Sequence, residues 1–216
     1  MADLIEGLQA DRVRANLERA RERIAEVGCD PAGVEILAAV KYVALEELGT
    51  LADAGLTLLG ENRAQDLAAK ADRWEGRFIW DFIGHLQSRK VRQILPYVRY
   101  IHSVASDSAL VQLARHAPPE TEVLIEVNVA GERGKSGISP AELPSFLTRC
   151  PVAVVGLMTM PPMTADAEAS RPHFAALRGL AERHGLRHLS MGTSQDYEVA
   201  VQEGATIVRL GTTLYS

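Results

Sequence analysis

The chain has 216 residues, of which 47% are hydrophobic, and a formal charge of −5. That length can bury a large core in one α/β domain. The acidic balance, with no basic cluster flanked by aromatics, argues against a nucleic-acid partner, because neutralising phosphates takes a concentrated positive face. No apolar run is long enough to span a bilayer, and Asp3 and Glu6 interrupt the N-terminus, so neither an anchor nor a leader is expected. Cys29 and Cys150 are isolated, with no CxxC pair and no histidine at metal spacing, which points to a reducing cytoplasm.

Between residues 3 and 27, Leu4, Ile5, Leu8, Val13, Leu17, Ala20, Ile24 and Val27 keep close to helical spacing and Gly28 follows as a stop. This predicts an amphipathic helix ahead of the first strand. Val34 to Lys41 is then an apolar, β-branched run that ends abruptly in a lysine, so it predicts a buried strand delivering an amine to its C-terminal end. That end is where α/β proteins place their chemistry. Of the four lysines, Lys41 alone has an apolar run leading into it, while Lys70, Lys90 and Lys135 stand in polar, helical or loop-like surroundings. A lysine partly withdrawn from water keeps neutral amine available to condense with a carbonyl as a Schiff base. A lysine that caps the strand and snorkels to solvent is the plainer alternative.

The alternation continues with a helix over 44–54 ended by Gly55, a short strand Leu56 to Gly60 leading into Glu61 and Asn62, and a helix over 63–73. Phe78 to Gly84 is a strand running into His85, Leu86 to Leu95 a basic helix, Tyr100 to Ala105 a strand and Ser108 to His116 a helix. Glu122 to Val129 is the clearest strand, because alternation and β-branching agree there. After a polar loop, Ser139, Pro140 and Glu142 combine an N-cap, a first-turn proline and a capping-box acid. Val152 to Met160 is a strand, 165–183 a helix, His188 to Gly192 a short strand, 195–203 a helix stopped by Gly204, and Thr206 to Gly211 the last strand. Such a series predicts a (β/α)8 TIM barrel with an extra N-terminal helix, as one domain over 1–216. An open doubly wound sheet would want a glycine-rich turn after the first strand, and AVKYVAL has no glycine.

At the mouth of a barrel the strand ends converge, bringing together Lys41, Asn62, His85, Met160, the stretch Ser190 to Ser194, Arg209, Gly211 and Thr212. SMGTSQD and RLGTTLYS put glycines and hydroxyls after strands seven and eight, where such barrels often cradle a phosphate. Arg209 lies inside an apolar strand, TIVRLG, and needs an acceptor, either a buried carboxylate such as Glu126 or Asp81, or a ligand. An amine, a phosphate cradle and a buried arginine suit a phosphorylated aldehyde, of which pyridoxal phosphate is the common one. Gly134, Lys135 and Ser136 are only the tail of a phosphate-loop pattern, whose first glycine would fall at Val129, so a surface loop is expected. No histidine pair has metal spacing.

These segments resemble the YggS/PROSC family of pyridoxal phosphate homeostasis proteins over nearly the whole chain: LAAVKYV, LLGENRAQDL, FIGHLQSRK, VNVAGERGKSGIS, GLMTMPP and LSMGTSQDYEVAVQEGATIVRLGT. The resemblance implies a fold-type III barrel like that of alanine racemase, with Lys41 holding pyridoxal 5′-phosphate as a Schiff base and Asn62 beside the ring. It also implies that Ser190, Gly192, Thr193, Ser194, Gly211 and Thr212 surround the phosphate and that Arg209 faces the pyridine nitrogen. The chain ends five residues after Gly211, so the second domain that supplies a racemase with its other acid/base is not expected. A cytoplasmic monomer that holds and supplies the cofactor is the reading that follows, with apo-enzymes that use the same cofactor as its candidate partners. A weak amino-acid racemase, a cofactor-free aldolase acting on sugar phosphates and a scaffold are the rivals.

Overall fold

Eight short, largely apolar runs become strands: β1 (Glu35–Ala39), β2 (Leu58–Glu61), β3 (Ile79–Phe82), β4 (Tyr100–Val104), β5 (Glu122–Glu126), β6 (Ala153–Met158), β7 (His188–Thr193) and β8 (Ile207–Leu210). In the computed structural model, which describes residues 4–216, each strand pairs in parallel with the next. β1 pairs with β8, placing Leu37 opposite Arg209, and this seam closes the ring. The helices that return the chain are α2 (Leu48–Asp53), α3 (Ala64–Arg73), α4 (Val91–Ile94), α5 (Asp107–His116), α6 (Leu143–Arg149), α7 (Arg171–Arg183) and α8 (Tyr197–Gln202). Outside this alternation lie α1 (Ala10–Glu26) and a closing turn of helix, α9 (Thr212–Tyr215). The architecture is the (β/α)8 TIM barrel that the alternation predicts.

Strand side chains point to opposite faces in turn, so each strand serves two cores. Outward residues such as Leu59, Phe82, Ile101 and Val208 join the helices in the main core, each fully or almost fully buried. Leu37, Leu58, Tyr100, Leu124, Val155 and Ile207 form a separate, smaller apolar cluster. Two residues further along three of those strands, the same alternation places His102, Glu126 and Arg209. The barrel interior therefore changes from apolar to polar towards the C-terminal ends of its strands.

The N-terminal helix is shorter than its periodicity predicts. Asp3, in the predicted span, lies outside the described residues; Ile5 pairs with Val43, its N–H donating to Tyr42 O at 2.6 Å. Glu47 then accepts from the N–H groups of Gly7 at 2.7 Å and Leu8 at 3.0 Å, so the start of the predicted helix is bound to the barrel rim in non-helical form. The expected basic helix after β3 is also reduced, to a 3-10 turn at Ser88–Lys90 followed by α4. The Ser139 motif forms, with Glu142 Oε2 accepting from Ser139 N at 2.9 Å, but it closes a turn and α6 begins only at Leu143. No helix among the described residues is long and apolar enough to cross a membrane, and no cluster of three or more potential metal ligands occurs among them.

Candidate functional site

The C-terminal strand ends enclose a cleft of about 290 Å³ lined by Lys41, Asn62, His85, Ser103, Glu126, Ser136, Met160, Thr193 and Arg209, among others. Lys41 follows β1, is half-buried, and lays its Nζ over the Tyr42 ring at 4.6 Å from the centroid. The residue before it is fixed on two sides: Val40 N–H donates to Gly60 O at 2.9 Å, and Val40 O accepts from Lys70 Nζ at 2.6 Å. Lys70 also reaches Glu61 Oε2 at 2.7 Å, while Glu61 Oε1 accepts from the backbone of Asn62 at 2.6 Å and Arg63 at 3.2 Å. This buried ion pair joins the ends of β1 and β2 and thereby places Lys41 beside Asn62. Lys70 stands on a helix, as its surroundings in the sequence led one to expect, but it is only 6% exposed.

Asn62 borders the cleft and its Oδ1 is buried without a hydrogen-bond partner among the described residues. Gly84, at the end of the third strand run, closes against it: a Cβ there would lie 2.0 Å from Asn62 O. Buried amide oxygens normally find a donor, so this orphan acceptor marks a place for a ligand.

Arg209 is buried and meets no carboxylate among the described residues, which overturns the ion-pair alternative with Glu126 or Asp81. Its guanidinium donates to Ser190 Oγ at 2.5 Å, Thr159 O at 3.0 Å and Met160 Sδ at 2.9 Å. Burial pulls its pKa down to about 10, with Asp196 and Glu126 acting in the opposite direction. Behind it runs a polar relay: Ser190 Oγ lies 2.8 Å from His102 Nδ1, and His102 Nε2 lies 3.0 Å from Asp81 Oδ2. Asp81 also accepts from Arg99 Nε and Nη2, while Arg99 Nη1 and the shared Nη2 donate to Glu35. Burial alone would raise Asp81, but His102 and Arg99 outweigh it and hold the carboxylate ionised. Burial, the largest influence on His102, pushes it down and keeps it neutral. Its Nε2–H therefore faces Asp81, Nδ1 accepts from the Ser190 hydroxyl, and the Ser190 oxygen is left to accept from Arg209.

Ser190 is thus placed differently from the phosphate role its motif implies: it is fully buried inside the ring and carries Arg209. Of the other members of that set, Thr193 lines the cleft. Gly192 has φ +91°, and a Cβ on it would lie 2.6 Å from Ala200 Cβ, so only glycine lets this loop press against α8. Thr193 donates its N–H and hydroxyl to Asp196 Oδ1 at 2.7 and 3.0 Å, setting the turn into α8. Ser194 Oγ accepts from Gly211 N and Thr213 N, each at 3.2 Å, so the loops after β7 and β8 are tied together with Thr212 exposed between the two donors. The loop expected to lie on the surface is indeed exposed at Gly134, Lys135 and Ser136, and from there Ser136 donates to Glu126 Oε1 at 2.5 Å and borders the cleft. Sequence reasoning treated Glu126 only as a partner for Arg209; its inward position two residues after Leu124 was the available signal.

Residues 8–216 match the family of the alanine racemase N-terminal domain. The chain is 39% identical to the pyridoxal phosphate homeostasis protein of Aquifex aeolicus, over 92% of this chain and 95% of that one. It belongs to the pyridoxal phosphate homeostasis protein family. The family member of Pseudomonas aeruginosa is 37% identical over 95% of this chain and 94% of its own. PipY of Synechococcus elongatus, whose structure was solved with pyridoxal phosphate bound, superposes with a TM-score of 0.81 at 29% identity, covering 94% of this chain and all of that one.

Proposed function

We propose that this protein binds pyridoxal phosphate covalently and reversibly through Lys41 and holds it in supply, without strong turnover of its own. The observation that carries the reading is that the Lys41 amine, an Asn62 oxygen and a buried arginine share one cleft, the oxygen without a hydrogen-bond partner and the arginine without a carboxylate among the described residues. The names of the relatives and the bound ligand of PipY support it. The residues fit the cofactor's chemistry. Asn62 would lie beside the ring; Gly192, Thr193, Ser194, Gly211 and Thr212 would hold the phosphate, with Ser194 already aligning two backbone donors; and Arg209 would face the ring nitrogen. The bound cofactor supplies an aldehyde that an amine can join reversibly, with loss of water.

The character of Arg209 favours carriage over turnover. A guanidinium donates hydrogen bonds and keeps its own proton, so a ring nitrogen facing it stays unprotonated and withdraws electrons weakly. The Ser190, His102 and Asp81 relay fixes the plane of Arg209 without offering it a neutralising anion. We also take the chain to act as a single-domain monomer in the cytoplasm that delivers the cofactor to apo-enzymes.

The test is the visible spectrum of the purified full chain with pyridoxal phosphate, followed by borohydride reduction and peptide mapping. A yellow protein whose reduced adduct maps to Lys41, and is lost in Lys41→Ala, is expected. A chain that stays colourless with added cofactor would overturn the reading. Exchange of an amino acid's α-proton at an appreciable rate would overturn the claim of weak turnover while leaving the binding reading intact.

A further inference from the structure

Among the described residues, Glu61, Asp81, Glu126 and Asp196 are the buried carboxylates. Three of them have evident structural work: Glu61 meets Lys70, Asp81 meets Arg99 and His102, and Asp196 fastens the Thr193 turn. Glu126 has no ion-pair partner among the described residues, and a single hydroxyl, that of Ser136, donates to it. It is 6% exposed, and leaving a carboxylate so deeply buried without a cation costs stability. Burial pushes its pKa up, with Ser136, His85 and Arg209 pulling against the rise.

Its position in the ring is informative. Glu126 is the last residue of β5, and in a closed ring of eight strands β5 stands opposite β1 whichever way one counts. Glu126 and Lys41 therefore border one cleft from facing walls. The charged or titratable groups around the cleft are Arg209 on β8, His85 after β3 and Lys41 after β1. Arginine keeps its proton, so the groups that can exchange one are the Lys41 amine, the Glu126 carboxyl and the His85 imidazole; His85 follows β3, only two strands from β1, whereas Glu126 faces Lys41 from the opposite wall.

We propose that Glu126 donates and recovers the proton during attachment and detachment of pyridoxal phosphate at Lys41, setting how fast the protein loads and unloads. This rests on the binding reading above. On attachment, the Lys41 nitrogen bonds to the aldehyde carbon, the carbon–oxygen bond breaks, and the oxygen leaves as water. One hydrogen of that water passes from the nitrogen to the oxygen during addition. Glu126 delivers the second and recovers one from the nitrogen, so it ends in the form in which it began and the amine has supplied both. Detachment reverses each transfer. A proton donor that returns to its starting state lowers the same barrier in both directions, so both rates should change together. A residue that merely bound the cofactor would alter the ratio of the two rates.

The experiment follows the visible band in stopped flow, on mixing the cofactor-free full chain with pyridoxal phosphate and on diluting the loaded protein, from pH 5 to 9. In Glu126→Gln both rate constants should fall about tenfold or more, with their ratio preserved and the borohydride adduct still on Lys41. The wild-type loading profile should carry a limb that falls as Glu126 ionises, and Glu126→Gln should lack it. In Ser136→Ala, losing the hydroxyl donor destabilises the carboxylate, so the limb should move to higher pH. Unchanged rates in Glu126→Gln, or a change in one rate alone, would overturn the proposal while the Lys41 adduct stands. Absence of any adduct at Lys41 in the wild type would remove the binding reading and this proposal together. Should Glu126→Gln fail to fold, an unshifted profile in Ser136→Ala decides against the proposal.

Discussion

Lys70 lies deeper in the protein than Lys41. The first is a structural cation and the second the candidate nucleophile, an ordering that composition around each lysine does not disclose. The signal lay in helix register: Ala64, Leu67 and Ala71 form the buried face of α3, and Lys70 falls on the same face, three residues after Leu67. Removing one partner of a buried pair strands the other charge, which costs more than the intact pair contributes. Lys70→Met should therefore destabilise the fold by about 3 kcal/mol, and adding Glu61→Gln should recover part of that loss. Urea unfolding of the single and double variants measures both. A single-variant loss below about 1 kcal/mol would show that water reaches Glu61. Arg209 and Lys41 were legible because each contradicts its apolar surroundings in the sequence. The partners that aim Arg209, Ser190 and His102, were not, because a serine and a histidine inside strands have many uses and only the ring brings these two together.

At the scale of elements, strand and helix order could be read throughout, since the period of the apolar residues switches cleanly between two and nearly four. Ends were less legible wherever a tertiary partner competes with a local signal. The stretch before α1 is periodic enough for helix, yet Glu47 and Val43 hold it in non-helical form. α1 and α9, the first and last helices, are joined by one side chain: Asn16 Nδ2 donates to Leu214 O at 3.1 Å and Ser216 O at 2.9 Å. These carbonyls at the end of a helix have no intrahelical donor, so Asn16 serves as their cap. Asn16→Ala should cost about 1 to 3 kcal/mol. Amide exchange should show the protection lost first in α9 and the loops that Ser194 ties, before the strands opposite. Uniform loss around the ring would argue that α9 is not separately anchored.

For the whole molecule, stability against pH follows from three buried groups in the ring. His102 has a folded pKa below its ordinary 6.5, so the unfolded chain takes up its proton first and stability falls as pH drops below about 6.5. Asp81 is held below its ordinary 3.8, so its contribution, present above that value, is lost as pH falls through the depressed folded value. Glu126 has the opposite sign: with its folded pKa above 4.5, stability decreases as pH rises from 4.5 through that value. Urea midpoints taken across pH should therefore fall more steeply towards acid in Glu126→Gln, and less steeply in His102→Gln, than in the wild type. Identical slopes in all three proteins would mean that neither group titrates differently on folding. The seam between β1 and β8 adds a further consequence. Lys41 and Arg209 come from distant parts of the chain and share a cleft only once the last strand docks on the first, so a chain whose ring stands open would lack the site proposed above. Ligand binding and ring closure are then thermodynamically linked, and free ligand at about a hundred times its dissociation constant would strengthen that closure by about 2.7 kcal/mol. The molecule is a clasp: on the binding reading proposed above, what it carries would tighten a joint that β1 and β8 already make.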